Sequence, residues 1–269
     1  MTILESIFQA KRLRVAETKQ KADLPALREA ALYARLQAQP RAFRAALASG
    51  AGPKIVAEFK RASPSKGVIN ESIEPETAAA SYQRGGAAAI SVLTEEDYFK
   101  GSLADLKRIR ETVSLPILRK DFIFDEFQLL EAAAAGADAI LLIVAGLPIS
   151  DLRSLRMIAE DEMGLGALVE VHTEEEMQIA KDVGATLIGV NNRDLRTFDV
   201  SLDVSRELVR FAPANTVLIS ESGLRSKADM LELATLGYSG FLIGETLMRS
   251  GDPEMTLRQL VGKAEATRL

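Results

Sequence analysis

The chain has 269 residues, 47% of them hydrophobic, with 33 Lys and Arg against 38 Asp and Glu. That length supports one large barrel-type domain or two ordinary ones, and a net charge of -5 at pH 7 weighs against bulk attraction to nucleic acid or to an anionic membrane. The absence of cysteine excludes disulfides, thiolate metal sites and cysteine nucleophiles, and a single histidine, His172, excludes any site that needs two imidazoles.

Residues 1–50 read as an N-terminal extension of helices over Ile3–Glu17, Leu24–Leu36 and Pro40–Leu47, with enough Leu, Ala and Phe to pack. Charges at Lys11, Arg12, Arg14, Lys19 and Lys21 interrupt any apolar segment that a secretory signal would need. The apolar run Ala139–Ser150 is too short to span a bilayer. The expectation is a cytoplasmic protein with no membrane segment.

From residue 51 onward the chain keeps a rhythm. Four segments begin with glycine and run into apolar residues, at Gly86–Leu93, Gly136–Ile143, Gly184–Val190 and Gly237–Ile243, the glycines standing 50, 48 and 53 residues apart. Four further short apolar runs, Ile55–Phe59, Pro116–Leu118, Ala167–Val171 and Thr216–Ile219, fall before and between them. Such runs suit strands buried on both faces of a parallel sheet, and each glycine suits the turn out of a preceding helix. The intervening stretches read as amphipathic helices over Glu74–Arg84, Leu103–Glu111, Glu126–Ala135, Leu152–Glu162, Glu174–Val183, Asp203–Phe211 and Lys227–Leu236. Eight strands alternating with helices predict an α/β fold, a (β/α)8 TIM barrel over residues 51–269 with the helical extension at 1–50, as one domain. The rival is an open doubly wound sheet, disfavoured because no Gly-x-Gly-x-x-Gly follows the first strand.

In such barrels the chemistry sits at the carboxyl ends of the strands. Those ends carry Glu58 and Lys60, Lys120, Glu170, Asn191 and Arg193, Ser220 to Gly223, and Gly244. Alternation along the first strand puts Val56, Glu58 and Lys60 on one face. Taken alone, Glu58 and Lys60 suit an internal ion pair closing the barrel. With Lys120, Glu170 and Asn191 arriving from other strands, the five form a candidate acid–base centre. A second constellation suits phosphate: Ser222 and Gly223 after the seventh strand, and Gly244 opening a short helix after the eighth. Glu245 is uncomfortable there, and its side chain is expected to point away. The polar loop Lys60–Gly67 carries basic residues suited to an anionic ligand or to a solvated flap. His172 reads as a surface-loop residue, and Glu174–Glu176 as acids favoured at a helix start.

At these positions the sequence resembles the indole-3-glycerol phosphate synthase family. The resemblance runs through Ile55-Val-Ala-Glu-Phe-Lys-Arg-Ala-Ser-Pro-Ser-Lys-Gly67, Leu115-Pro-Ile-Leu-Arg-Lys-Asp-Phe122, Leu168-Val-Glu-Val171, Ile188-Gly-Val-Asn-Asn-Arg-Asp-Leu195, Ile219-Ser-Glu-Ser-Gly223 and Phe241-Leu-Ile-Gly-Glu-Thr-Leu-Met248, and covers essentially the whole chain. It implies a carboxy-lyase of tryptophan biosynthesis. The substrate is 1-(2-carboxyphenylamino)-1-deoxyribulose 5-phosphate, and the reaction is ring closure, loss of CO2 and dehydration. It implies no metal or organic cofactor, and the expected partner is the phosphorylated small molecule alone, bound by a monomer.

The resemblance also implies roles: Lys120 as general acid, Glu170 as general base, Lys60 at the substrate carboxylate, Glu58 beside a cationic intermediate and Asn191 in positioning. Ser63, Arg193, Glu221, Ser222, Gly223 and Gly244 form the substrate and phosphate set, with Ser65 beside Ser63 on the first loop. Lys60 and Lys120 are interchangeable as acids at this stage. The one departure is Glu245, where some members carry serine. A Schiff-base aldolase on the same barrel and a non-catalytic sensor of a phosphorylated metabolite are the competing classes.

Overall fold

A computed structural model of the chain describes residues 2–49 and 52–262, so the expected boundary at residues 50 and 51, together with residue 1 and residues 263–269, lies outside it. Among the described residues, eight parallel strands close into a barrel: β1 (Lys54–Phe59), β2 (Ala89–Leu93), β3 (Ile117–Lys120), β4 (Ala139–Ile143), β5 (Gly166–Val171), β6 (Leu187–Asn191), β7 (Val217–Glu221) and β8 (Gly240–Ile243). Closure is made by β1 against β8, with Lys54 opposite Gly240 and Ala57 opposite Ile243. The barrel expectation therefore holds, and the open sheet is excluded. The four glycines of the sequence rhythm each take a positive φ, Gly86 at 92°, Gly136 at 87°, Gly184 at 77° and Gly237 at 121°, which is the turn out of a helix that a side chain would strain.

Two strands run further than their apolar residues suggest. β3 continues through Arg119 and Lys120, and β7 continues through Ser220 and Glu221. Buried charges of this kind persist only when paired. Arg119 donates to Asp121 Oδ2 at 3.0 Å, to the Gln128 carbonyl at 2.8 Å and to Thr94 Oγ1 at 3.1 Å. The helix expected over Leu152–Glu162 instead begins at Ile149, and its last turn, Ile158–Glu162, widens to a π-helix. The helix expected to end at Phe211 closes at Leu208 and tightens into a 3-10 turn.

The extension lies against both ends of the barrel. Its first helix, α1 (Ile3–Lys21), opens with a capping box in which Thr2 and Glu5 satisfy each other's backbone amides. Ile3, Leu4 and Ile7 of α1 face the cavity at the strand carboxyl ends. Phe8 meets the edge of Phe122 with ring centroids 5.5 Å apart. After α2 (Leu24–Gln37), the short α3 (Ala42–Ala48) covers the opposite end, burying Phe43 and Leu47. Arg44 of α3 donates to the Thr186 and Asn215 carbonyls at 3.3 and 3.0 Å, in the turns leading into β6 and β7.

One contact ties α1 to the carboxyl ends of the strands. Buried Lys11 places Nζ 2.9 Å from Asp121 Oδ2 and 2.8 Å from Glu96 Oε2. Asp121 follows Lys120 directly in the chain. Burial pushes its carboxyl up, but Arg119, Lys11 and the Thr94 hydroxyl outweigh burial and hold it below the ordinary aspartate value. Removing one partner from a buried charge pair strands the other, so Lys11→Met lowers the unfolding free energy by about 3 kcal/mol, read as a fall in the midpoint of thermal or urea unfolding.

Candidate active site

The carboxyl ends of the strands surround a cavity. Glu58, Lys60, Lys120, Glu170 and Asn191 all line it, as do Ser63, Ser65, Arg193, Glu221 and Ser222. Gly223 and Gly244 do not line it. Charged and polar groups reach the cavity from the ends of β1, β3, β5, β6 and β7, and Leu93, Phe99, Phe122, Leu141, Ile143 and Leu242 supply apolar lining.

The charged groups fall into two pairings. Lys60 Nζ lies 2.6 Å from Glu58 Oε2, so the internal ion pair expected for β1 is present, but it faces the cavity rather than capping a closed core. Lys120 Nζ lies 3.3 Å from Glu170 Oε2 and in tight contact with Glu221 Oε2. Burial alone lowers an ammonium's pKa, but the fields of Glu221, Glu170 and Glu58 outweigh it and hold Lys120 above the ordinary lysine value. Lys120 is thus fully protonated at neutral pH at the carboxyl ends of the strands.

The two carboxylates beside it diverge. For Glu170, burial raises the pKa, but Lys120, His172 and the Asn191 amide together bring it below the ordinary glutamate value. Asn191 Nδ2 donates to Glu170 Oε1 at 3.3 Å, while Asn191 Oδ1 accepts the Arg193 backbone N–H at 3.1 Å. For Glu221, burial is the largest effect and Glu170 repels it further, so despite Lys120 its carboxyl is pushed up to about 7. Its Oε1 is buried without a hydrogen-bond partner among the described residues. It fits only because residue 189 is glycine: a Cβ there would overlap that oxygen. Gly244 is constrained in the same way, since a Cβ would run into the Glu58 carboxylate. Two carboxyls whose environments drive their pKa values apart are what acid–base division of labour requires.

The sequence places Glu221 with the substrate and phosphate set, whereas the structure groups it with Lys120. The surface-loop expectation for His172 is corrected: the ring is 12% exposed, with Nδ1 3.1 Å from Glu176 Oε2 and Nε2 3.4 Å from Glu170 Oε1. The cause is Glu176, in the first turn of the helix Glu174–Asp182, whose carboxylate accepts the His172 backbone N–H at 2.6 Å and draws the ring inward. Glu245 borders the cavity, but its carboxylate accepts from Arg249 Nε at 3.1 Å. At the polar end, Ser222 and Gly223 both take positive φ, at 65° and 80°. Asn192 pins this turn by donating to the Glu221 and Ser222 carbonyls at 3.0 and 3.1 Å. Arg193 is tethered by Nη1 to the Phe198 carbonyl at 3.3 Å.

Fold and site together define a (β/α)8-barrel enzyme whose strand carboxyl ends hold a lysine–glutamate cluster. A sequence profile described as indole-3-glycerol phosphate synthase matches residues 4–260, and the chain belongs to that family. It is 48% identical over 262 residues to the indole-3-glycerol phosphate synthase of Carboxydothermus hydrogenoformans, covering 96% of this chain and 99% of the relative. It is 46% identical over 261 residues to that of Rhodococcus jostii, covering 97% and 95%. Among solved structures, 3-hexulose-6-phosphate synthase from Salmonella typhimurium matches with a TM-score of 0.62 at 14% identity, covering 78% of this chain and 97% of that one, which is a likeness of fold alone.

Because the Glu221 carboxyl rises from 4.5 to about 7 on folding, the folded state holds its proton where the unfolded state has lost it. Its contribution to stability is complete below pH 4.5 and is lost as pH rises through 7. Denaturant unfolding of wild type and Glu221→Gln across this range will show wild-type stability falling relative to the variant as pH increases.

Proposed function

We propose that the chain carries out its family's reaction, turning 1-(2-carboxyphenylamino)-1-deoxyribulose 5-phosphate into indole-3-glycerol phosphate, CO2 and water, with Lys120 as general acid and Glu170 as general base. The observation that carries this reading is the Lys120 ammonium held between Glu170 and Glu221 in a cavity that also has apolar lining.

Each chemical demand has a candidate group. The aryl ring packs against the apolar lining, and Lys60 pairs with the carboxylate that departs as CO2. The aromatic carbon attacks the ribulose carbonyl as Lys120 protonates that oxygen. Loss of CO2 then returns the bonding electrons to the ring. Lys120 or Lys60 donates a second proton to the departing hydroxyl, Glu58 and Glu221 steady the cationic intermediate, and Glu170 removes the carbon-bound proton that completes the indole. General acid–base steps of this kind contribute about 10²–10⁴ each. Ser63, Arg193 and Ser222 form the phosphate end, while Asn191 orients Glu170 toward the substrate.

The charge pattern disfavours a Schiff-base aldolase: an amine nucleophile must be neutral, and Lys120 is held protonated by its neighbours. The reading extends to a monomer acting on a free metabolite in the cytoplasm. Sedimentation of the purified protein tests the monomer.

The direct test mixes the protein with the substrate in the presence of EDTA and follows indole fluorescence. Wild type produces the signal, whereas Lys120→Met and Glu170→Gln, folded by circular dichroism, lose about 10²–10⁴ in kcat. Near-normal turnover of Lys120→Met removes it as the acid. Binding without turnover in wild type favours a sensor instead.

A further inference from the structure

His172 is the chain's one histidine, and none of the steps above uses it. Glu176 Oε2 accepts its backbone N–H at 2.6 Å and faces its ring Nδ1 at 3.1 Å, so Nδ1 carries a proton. The opposite nitrogen, Nε2, is buried with no hydrogen-bond partner among the described residues, and Glu170 Oε1 lies 3.4 Å from it. A neutral ring with its proton on Nδ1 would present the Nε2 lone pair to a carboxylate, which is repulsive. The arrangement is attractive only when Nε2 is protonated as well, making the ring an imidazolium between two carboxylates.

The surroundings favour the same state. Burial lowers the imidazole pKa, but the hydrogen bond to Glu176 and the fields of Glu170, Glu176 and Glu221 outweigh it, and the net direction is upward. Lys120 stands on the far side of Glu170, against its other oxygen. Across the adjoining cavity that His172 lines lie Glu5, Arg193, Asp194, Arg196 and Asp199.

We propose that His172, held by Glu176, is a positioning residue that keeps the general base Glu170 ionised and oriented throughout the reaction. The need arises because the other cation beside Glu170 is expendable. Once Lys120 has given its proton to the substrate oxygen it is a neutral amine, and a buried carboxylate left alone would take up a proton from solvent. His172 donates no proton to the substrate, so its charge persists across that step.

The inference rests on Glu170 being the base, and the tests separate the two. With a single histidine, ¹⁵N-histidine labelling gives one imidazole whose two nitrogens report protonation directly. The expected result is an imidazole protonated on both nitrogens at pH 7, with a midpoint that falls by about one pH unit in Glu170→Gln and in Glu176→Gln. In the kinetics, His172→Gln moves the acidic limb of the kcat/KM profile upward by about one pH unit, because Glu170 then protonates more readily, while kcat on the plateau stays within a few-fold of wild type. A merely structural histidine would change kcat or stability without moving that limb. A midpoint unaffected by Glu170→Gln, or an unmoved limb in His172→Gln while Glu170→Gln is inactive, overturns the role of His172 and leaves the base assignment standing. Full turnover by Glu170→Gln overturns the base assignment itself, and the role of His172 with it.

Discussion

The site depends on one buried ammonium. Lys120 lies between Glu170 and Glu221, with Glu58 adding to the field. No pair of neighbouring strands could build this arrangement, because β3, β5 and β7 are alternate members of the barrel. Closure of the sheet turns their inward side chains toward one axis, and only there do the three charges meet. The low dielectric of that position makes the charges strong and also costly, so each has a partner. The balance leaves a protonated lysine beside one carboxylate that stays ionised and another held near neutrality.

The surrounding fold supports those charges. Lys11, from the N-terminal helix, reaches Asp121, the residue after Lys120, while Arg119, the residue before it, binds the same Asp121 oxygen. Lys120 is thus flanked by a salt-bridged pair at its own strand end, anchored to a helix outside the barrel. The glycines at 189 and 244 serve the same end by leaving space for the Glu221 and Glu58 carboxylates. Small changes of volume at either position would displace a charge and not merely a packing contact.

Much of this is legible in the sequence because the barrel repeats. Glycine followed by an apolar run marks the turn into a strand, and alternation along β1 is enough to place Glu58 and Lys60 together on the inner face. Other features stay hidden because they depend on register and on contacts between distant segments. Nothing in Ile219-Ser-Glu-Ser-Gly223 says that Glu221 meets a lysine four strands away around the barrel. His172 reads as a loop residue because its burial depends on Glu176, four positions on, folding back onto its backbone amide. β3 and β7 outrun their apolar runs for the same reason, since their terminal charges are satisfied by partners far away in the chain.

In the proposed reaction Lys120 and Glu170 act at different steps, the lysine at ring closure and the glutamate after CO2 has left. Rapid-quench measurement with substrate labelled in its carboxylate separates these steps, because CO2 and indole are counted independently. Lys120→Met should release neither product on the wild-type timescale, while Glu170→Gln should release CO2 in an amount matching its active sites and fail to form indole. Release of CO2 by Lys120→Met at the wild-type rate, or of both products together by Glu170→Gln, would contradict that division.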